Sequence, residues 1–394
     1  MPRLAVLLAL LLLAAVPAAA PAEVREGPRG APFYRPPSPL PGTGHGGAIW
    51  ARRLTGAAAL RGGGGNRLLL YRSVGVRGKA VAVSGTVTVP KGRAPRGGWP
   101  VISYGHGTTG IADRCAPSRD SASAPAHGLT AYAYPLLRRW LRAGYAVVRT
   151  DYEGLGTPGV HPYVVGRSEG RGVVDIVRAS RQLDGRLARR YVIAGHSQGG
   201  HAALWAASLA PRWTPELRVR GTVALAPVSH LAEQTALLPN FTAPGGLSGL
   251  VAMILRGLDV ARPDLGVSAG LTQRAAALYP QTLTTCLGQL TSPESFGGLA
   301  PADVIRSEAP TGPVTAALAQ QDPEDLRIRT PVRVQQGVDD ATVFKLFTDP
   351  LVADLRRRGA EVSYETYGGV DHGGAVTNAR SARDATSYIR GRLR

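Results

Sequence analysis

Ser197 sits in Gly195-His196-Ser197-Gln198-Gly199, a G-x-S-x-G run. The apolar stretch Tyr191-Val192-Ile193-Ala194 leads into it, and a small-residue, helix-compatible stretch, 200–207, leads out. The pattern reads strand, sharp turn, helix. At the tip of such a turn a serine holds a strained backbone, and flanking glycines remove the Cβ atoms that would clash. Its Oγ is then exposed, with the amide of Gln198 beside it and a helix N-terminus behind it, a setting that favours developing negative charge. The chemistry this suits is nucleophilic attack on an acyl carbonyl. In a chain with 50 glycines the run arises by chance, so its weight comes from the strand before it and the helix after it.

A serine hydroxyl is a weak nucleophile until a histidine takes its proton, and the histidine needs a carboxylate to hold its tautomer. One recurrent chain order is serine, then acid, then histidine. Of eight histidines, only His372 comes after His230. It lies in Gly368-Gly369-Val370-Asp371-His372-Gly373-Gly374, just past the strand-like Val362-Ser363-Tyr364-Glu365-Thr366-Tyr367, and is the expected base. The acid should follow the preceding strand-like run, Pro331-Val332-Arg333-Val334-Gln335-Gln336, where Asp339 and Asp340 compete. A second oxyanion donor is expected after Trp99-Pro100-Val101-Ile102-Ser103-Tyr104. There Gly105-His106-Gly107-Thr108-Thr109-Gly110 lets the backbone approach a carbonyl, and Thr108 or Thr109 would supply the amide.

Two other motifs carry less. Gly154-Leu155-Gly156-Thr157-Pro158-Gly159 matches G-x-G-x-x-G after a strand-like run, but Pro158 disfavours a helix opening directly off the loop, as a dinucleotide site requires. Asn240-Phe241-Thr242 is a glycosylation sequon of a kind common by chance. With neither C-x-x-C nor a Cys/His cluster, no metal is implied.

These groups need a scaffold. Strand-like runs near 67–71, 80–89, 99–104, 145–150, 191–194, 222–226, 332–336 and 362–367 alternate with helical patterns near 131–143, 165–182, 200–208, 344–358 and 380–392. Such alternation predicts an α/β architecture, a mostly parallel sheet covered on both faces. Residues 23–50, rich in proline, read as an irregular lead-in; 51–228 and 314–394 read as the core. The regularity breaks over 229–313. There the segment 247–258 is apolar on more than one helical face, so it must bury both sides or cover an apolar substrate. Residues 229–313 are therefore expected to form a helical cap over the serine.

Arg3, the apolar run 4–16 and the A-x-A site Ala20-Pro21-Ala22 read as a signal peptide, 1–22, cleaved before Glu23, and place the protein outside the cell. In an exported protein an even pair of cysteines, Cys115 and Cys286, is most simply a disulfide. It would tie the cap to the loop after the oxyanion strand. Net charge is +19. The arginines are scattered along the chain without a basic block, which argues against a nucleic-acid partner.

With these residues in hand, the chain resembles the secreted lipase family of fungal lipase A-type enzymes and their actinobacterial relatives. The matching motifs are Ser103-Tyr104-Gly105-His106-Gly107-Thr108-Thr109, Cys115-Ala116-Pro117-Ser118, Thr150-Asp151-Tyr152-Glu153-Gly154-Leu155-Gly156 with His161-Pro162-Tyr163, Gly195 to His201, Gly337-x-x-Asp340, and Val370-Asp371-His372. The resemblance implies an α/β-hydrolase fold with a helical cap, a Ser197/Asp340/His372 triad and a Cys115–Cys286 bond. Asp340 is preferred to Asp339 because G-x-x-D-x-x-V is the usual register of this loop in such hydrolases. Thr109 falls where a fungal member has an acidic oxyanion residue, which alters the side chain but leaves the amide.

The function expected is hydrolysis of carboxylic esters, lipid or shorter-chain, through an acyl-enzyme, with no cofactor. The expected partners are the small-molecule or lipid ester substrate and, transiently, a lipid interface; no stable protein partner is implied. Two rivals remain: a serine peptidase on the same scaffold, which would need an acidic anchor in the cap, and a secreted binding protein without catalysis.

Overall fold

Apolar and β-branched runs build one nine-stranded sheet. Its strands are β1 (Ala48–Arg53), β2 (Gly65–Val74), β3 (Ala80–Val89), β4 (Trp99–Gly105), β5 (Ala146–Thr150), β6 (Leu187–His196), β7 (Arg218–Leu225), β8 (Val332–Gly337) and β9 (Val362–Tyr367). The computed structural model describes residues 24–394, so the expected signal peptide, 1–22, lies outside the described residues. The spatial order is β1-β2-β3-β5-β4-β6-β7-β8-β9. The first three strands and the β3–β5 pair are antiparallel, and every pair from β5–β4 to β8–β9 is parallel. This is the α/β-hydrolase fold. The central strands β4 and β5 are buried along their whole length, as parallel strands covered on both faces must be.

On one face the helices Gly166–Leu183, Gln198–Trp213 and Lys345–Arg357 pack Val173, Val177, Ala203, Ala206 and Leu351 against the sheet. On the other, Tyr134–Arg142 and Ala379–Leu393 contribute Leu137, Trp140 and Ile389. The strands differ from the sequence reading at β1, which that reading lacks, and in the extents of β2, β6 and β7. β1 begins inside the lead-in, where Phe33 is fully buried against Ile49 and Leu70. β6 starts four residues before its apolar run, at Leu187, and carries Arg189 and Arg190 at its rim.

Residues 229–313 add no strand to this sheet. They form the helices Leu231–Leu237, Leu247–Ala261, Gln273–Leu278 and Leu287–Leu290, joined by short 3₁₀ turns. Met253, Leu290, Phe296 and Val304 gather into a separate apolar cluster, which also takes in Ala317 and Leu318 just beyond the segment. Cys115 and Cys286 are joined by a disulfide. Beside it, Leu287 N–H donates to the Thr109 carbonyl at 2.9 Å.

Candidate active site

β6 ends at His196 and the helix Gln198–Trp213 begins at once, with Ser197 as its N-cap residue at φ 57°, ψ −119°. A backbone outlier of this type costs roughly 1–3 kcal/mol and persists only where its surroundings impose it. Here they do. A Cβ on Gly195 would lie 1.9 Å from the Gly199 carbonyl oxygen, and one on Gly199 would lie 2.0 Å from that of Gly105. Glycine alone lets β4, β6 and the helix start meet this closely.

His372 and Asp340 lie in the loops after β9 and β8. The loops are held edge to edge: Val338 N–H donates to the Tyr367 carbonyl at 2.9 Å and Asp339 N–H to that of Val370 at 3.1 Å. A side chain at Gly337 would run into the Val370 carbonyl, 2.2 Å away. His372 Nδ1 stands 2.7 Å from Asp340 Oδ2. The same oxygen accepts from Gln336 Nε2 at 3.0 Å, while Oδ1 accepts from the amides of Thr342 and Val343 at 2.9 and 2.8 Å. Burial pushes the Asp340 carboxyl up, but the bond to His372, that ring's charge and the two amides outweigh it and hold the group below its ordinary value. Asp339 is exposed.

Two cavities meet at Ser197. One is apolar, walled by Tyr163, Leu231, Leu250, Val251, Ile254 and Phe344. The other holds Gly107, Thr108, Tyr132, His196 and His372. Among the described residues, no aspartate or glutamate lines either. Ser197 Oγ makes no hydrogen bond to His372 among the described residues; such contacts are commonly long without substrate and tighten on binding. Thr108 borders the second cavity and bonds through Oγ1 to the Tyr163 hydroxyl at 2.7 Å. Thr109 lines neither cavity; it is fully buried, and its carbonyl is occupied by Leu287. The Gln198 amide belongs to the first helical turn, where N–H groups have no partner within the helix.

Several residues outside the sequence-derived set support this arrangement. His196 donates from Nε2 to the His372 carbonyl at 2.9 Å and accepts the Tyr132 hydroxyl at Nδ1 at 2.6 Å. Burial, with the neighbouring His372 charge, pushes it down to about 3, so it stays neutral. Behind the serine, fully buried Glu169 accepts from Gln198 Nε2 at 2.7 Å and from Val164 N–H at 2.9 Å. Gln198 Nε2 also donates to His161 Nε2 at 2.8 Å. Burial pushes His161 down to about 4, consistent with a neutral ring that donates from Nδ1 to the Glu153 carbonyl. The motif residues His161 and Tyr163 were visible in sequence without a role. Glu169 gave no signal, being one polar residue in a helix rich in them.

The chain matches the Secretory lipase family over residues 123–291. It is 28% identical over 265 residues to Lipase A of Moesziomyces aphidis, covering 66% of this chain and 54% of that protein. It is 32% identical over 203 residues to a protein named Probable inactive lipase MT1628 of Mycobacterium tuberculosis, covering 50% of this chain and 44% of that one. The chain thus spans about half the length of the curated relatives it matches. Among solved structures, Candida antarctica lipase A in its closed state superposes with a TM-score of 0.77 at 22% identity, covering 92% of this chain and 86% of that one. The rice cell wall degrading esterase LipA from Xanthomonas oryzae gives 0.72 at 18%, covering 89% and 100%. By these matches the chain is similar to secretory lipases across residues 123–291, and it shares the α/β-hydrolase fold of the solved lipase and esterase structures.

Proposed function

We propose that the protein is an exported carboxylic-ester hydrolase with Ser197 as nucleophile, His372 as base and Asp340 as the acid that orients it. The observation that carries this reading is the 2.7 Å pair of His372 and Asp340 beside a cavity shared with Ser197. Ser197 Oγ attacks the ester carbonyl and His372 Nε2 takes its proton, while Asp340 holds Nδ1–H. The oxyanion is received by the amides of Gln198 and Thr108; Thr109, buried away from the cavities, serves less well. The imidazolium returns its proton to the leaving alcohol, and water activated by the same ring hydrolyses the acyl-enzyme. Residues 229–313 act as the cap, and the apolar cavity takes the acyl chain.

Walls without a carboxylate offer no anchor for a substrate amine, which argues against a peptidase. A relative named as an inactive lipase keeps the non-catalytic reading worth testing. Ser197→Ala should lower kcat on p-nitrophenyl esters by about 10⁴-fold or more with the fold intact. A serine-directed phosphonate should label the wild type at Ser197 and spare the variant. Faster cleavage of an aminoacyl anilide than of any ester would favour the peptidase. Labelling at a different serine, or no turnover of any ester, would end the assignment.

A further inference from the structure

The net charge of +19 is spread along the sequence, but folding gathers part of it. β7 begins with Arg218, and β6 carries Arg189 and Arg190 at its third and fourth positions, Arg190 in register with Arg218. Like charges on neighbouring strands are unfavourable unless something neutralises them. Arg181, at the end of the helix Gly166–Leu183, and Arg186 join them around a groove of about 650 Å³ that Gly97 and Gly98 also line. Arg189 lines it as well.

Little in the chain offsets this charge. Asp184 is committed to Arg186, through bonds of 2.9 and 2.8 Å. Arg189, Arg190 and Arg218 make no ion pair or side-chain hydrogen bond among the described residues, and Arg190 Nε is buried without a partner. Burial, and then the like charge of Arg189, lower the Arg181 guanidinium from its ordinary value, and the Glu216 carboxylate only partly offsets them.

We infer that this groove is a binding site for a linear polyanion bearing phosphate or sulfate groups. Guanidinium groups pair with such oxyanions through two parallel N–H bonds, and a groove of this size accepts several groups of one strand. Its position favours a strand over a flat bilayer. β6 runs ten residues from the groove to the Ser197 turn, so the two lie about 30 Å apart, at opposite ends of the sheet. A polymer held there leaves the cavity mouth free, whereas a bilayer held there would face the end of the molecule away from Ser197.

The test uses the full chain, a labelled heparin oligosaccharide, a polyphosphate chain, inorganic phosphate and anionic phosphatidylglycerol vesicles. Both polymers should bind, more weakly as salt rises, and the Arg189→Gln/Arg190→Gln/Arg218→Gln variant should lose on the order of tenfold or more in affinity. A control carrying Arg67→Gln, Arg274→Gln and Arg383→Gln, exposed positions with the same loss of charge, should stay close to wild type. Should the triple variant unfold, Arg189→Gln/Arg218→Gln, both exposed, is compared with Arg67→Gln/Arg383→Gln, which loses the same two charges. Equal losses in groove variant and control would reduce the effect to net charge and overturn the proposal. So would binding of inorganic phosphate or of vesicles without binding of either polymer.

Discussion

Glu169 supports the turn that bears Ser197 from behind. Its Oε1 accepts both Gln198 Nε2 and the N–H of Val164, a β-branched residue held at φ 58°. The side chain of Gln198 is therefore tethered while its backbone amide is free to meet an oxyanion. Glu169→Ala should lower kcat for ester hydrolysis by about tenfold, less than the loss of a whole oxyanion donor, with KM changed little. Glu169→Gln keeps an oxygen for the same two bonds and should recover most of that loss in steady-state kinetics. If Ala and Gln lower kcat equally, the charge matters rather than the tether. At this scale the sequence was uneven. Ser197 and His372 announce themselves through local pattern and order, and Asp340 is brought to His372 while Asp339 faces solvent. Glu169 and His196 act through contacts between distant elements, which no local pattern encodes.

Between elements, the start of the helix Leu231–Leu237 depends on Asp322, whose carboxylate accepts the N–H groups of Leu231 and Ala232 at 2.6 and 3.2 Å. A helix N-terminus favours a negative charge, yet burial and then Glu324 push Asp322 up to about 7. Glu233 also lies close, and His201 partly offsets the acids. Because the folded value lies above the unfolded one, this group's stabilisation is full below about pH 4 and is lost as pH rises through 7, a change on the order of a few kcal/mol. The Tm of the wild type should therefore carry a falling component between pH 5 and pH 8 that Asp322→Asn lacks; parallel Tm–pH curves for the two would show that the carboxyl ionises freely. The sequence showed the core helices and most core strands as periodic runs, but not the helix Leu231–Leu237, which lies where that regularity breaks. It obscured β1, whose short run Ala48–Ala51 straddles the end of the proline-rich lead-in, and the starts of β6 and β7, where arginines at the sheet rim interrupt the apolar pattern without interrupting the hydrogen-bond ladder.

Across the whole molecule, the candidate site residues gather at one end of the sheet. The carboxyl ends of β4, β6, β8 and β9 feed the loops that bear Thr108, Ser197, Asp340 and His372, and the segment 229–313 provides a wall of the cavity there. Sequence showed that 247–258 is apolar on more than one helical face; within the helix Leu247–Ala261 the structure separates the two. Ala252, Met253, Leu255 and Leu258 pack into their own buried cluster. Leu247, Leu250, Val251 and Ile254, spaced at helical intervals, line the apolar cavity with Ser197. If an acyl chain fills that cavity, each buried methylene adds up to about 0.8 kcal/mol, so kcat/KM should rise up to about fourfold per carbon until the cavity is full. Val251→Trp should then move the optimum to shorter chains and cost the longer ones about tenfold, with the shortest ester little affected. Ala252→Trp, one position away but wholly buried, should instead lower stability by about 1–3 kcal/mol through overpacking. A p-nitrophenyl ester series on both variants separates the outcomes. A chain-length profile unmoved by Val251→Trp would place the acyl chain in the second cavity, beside Thr108 and His372, and leave the apolar one as packing space between cap and core.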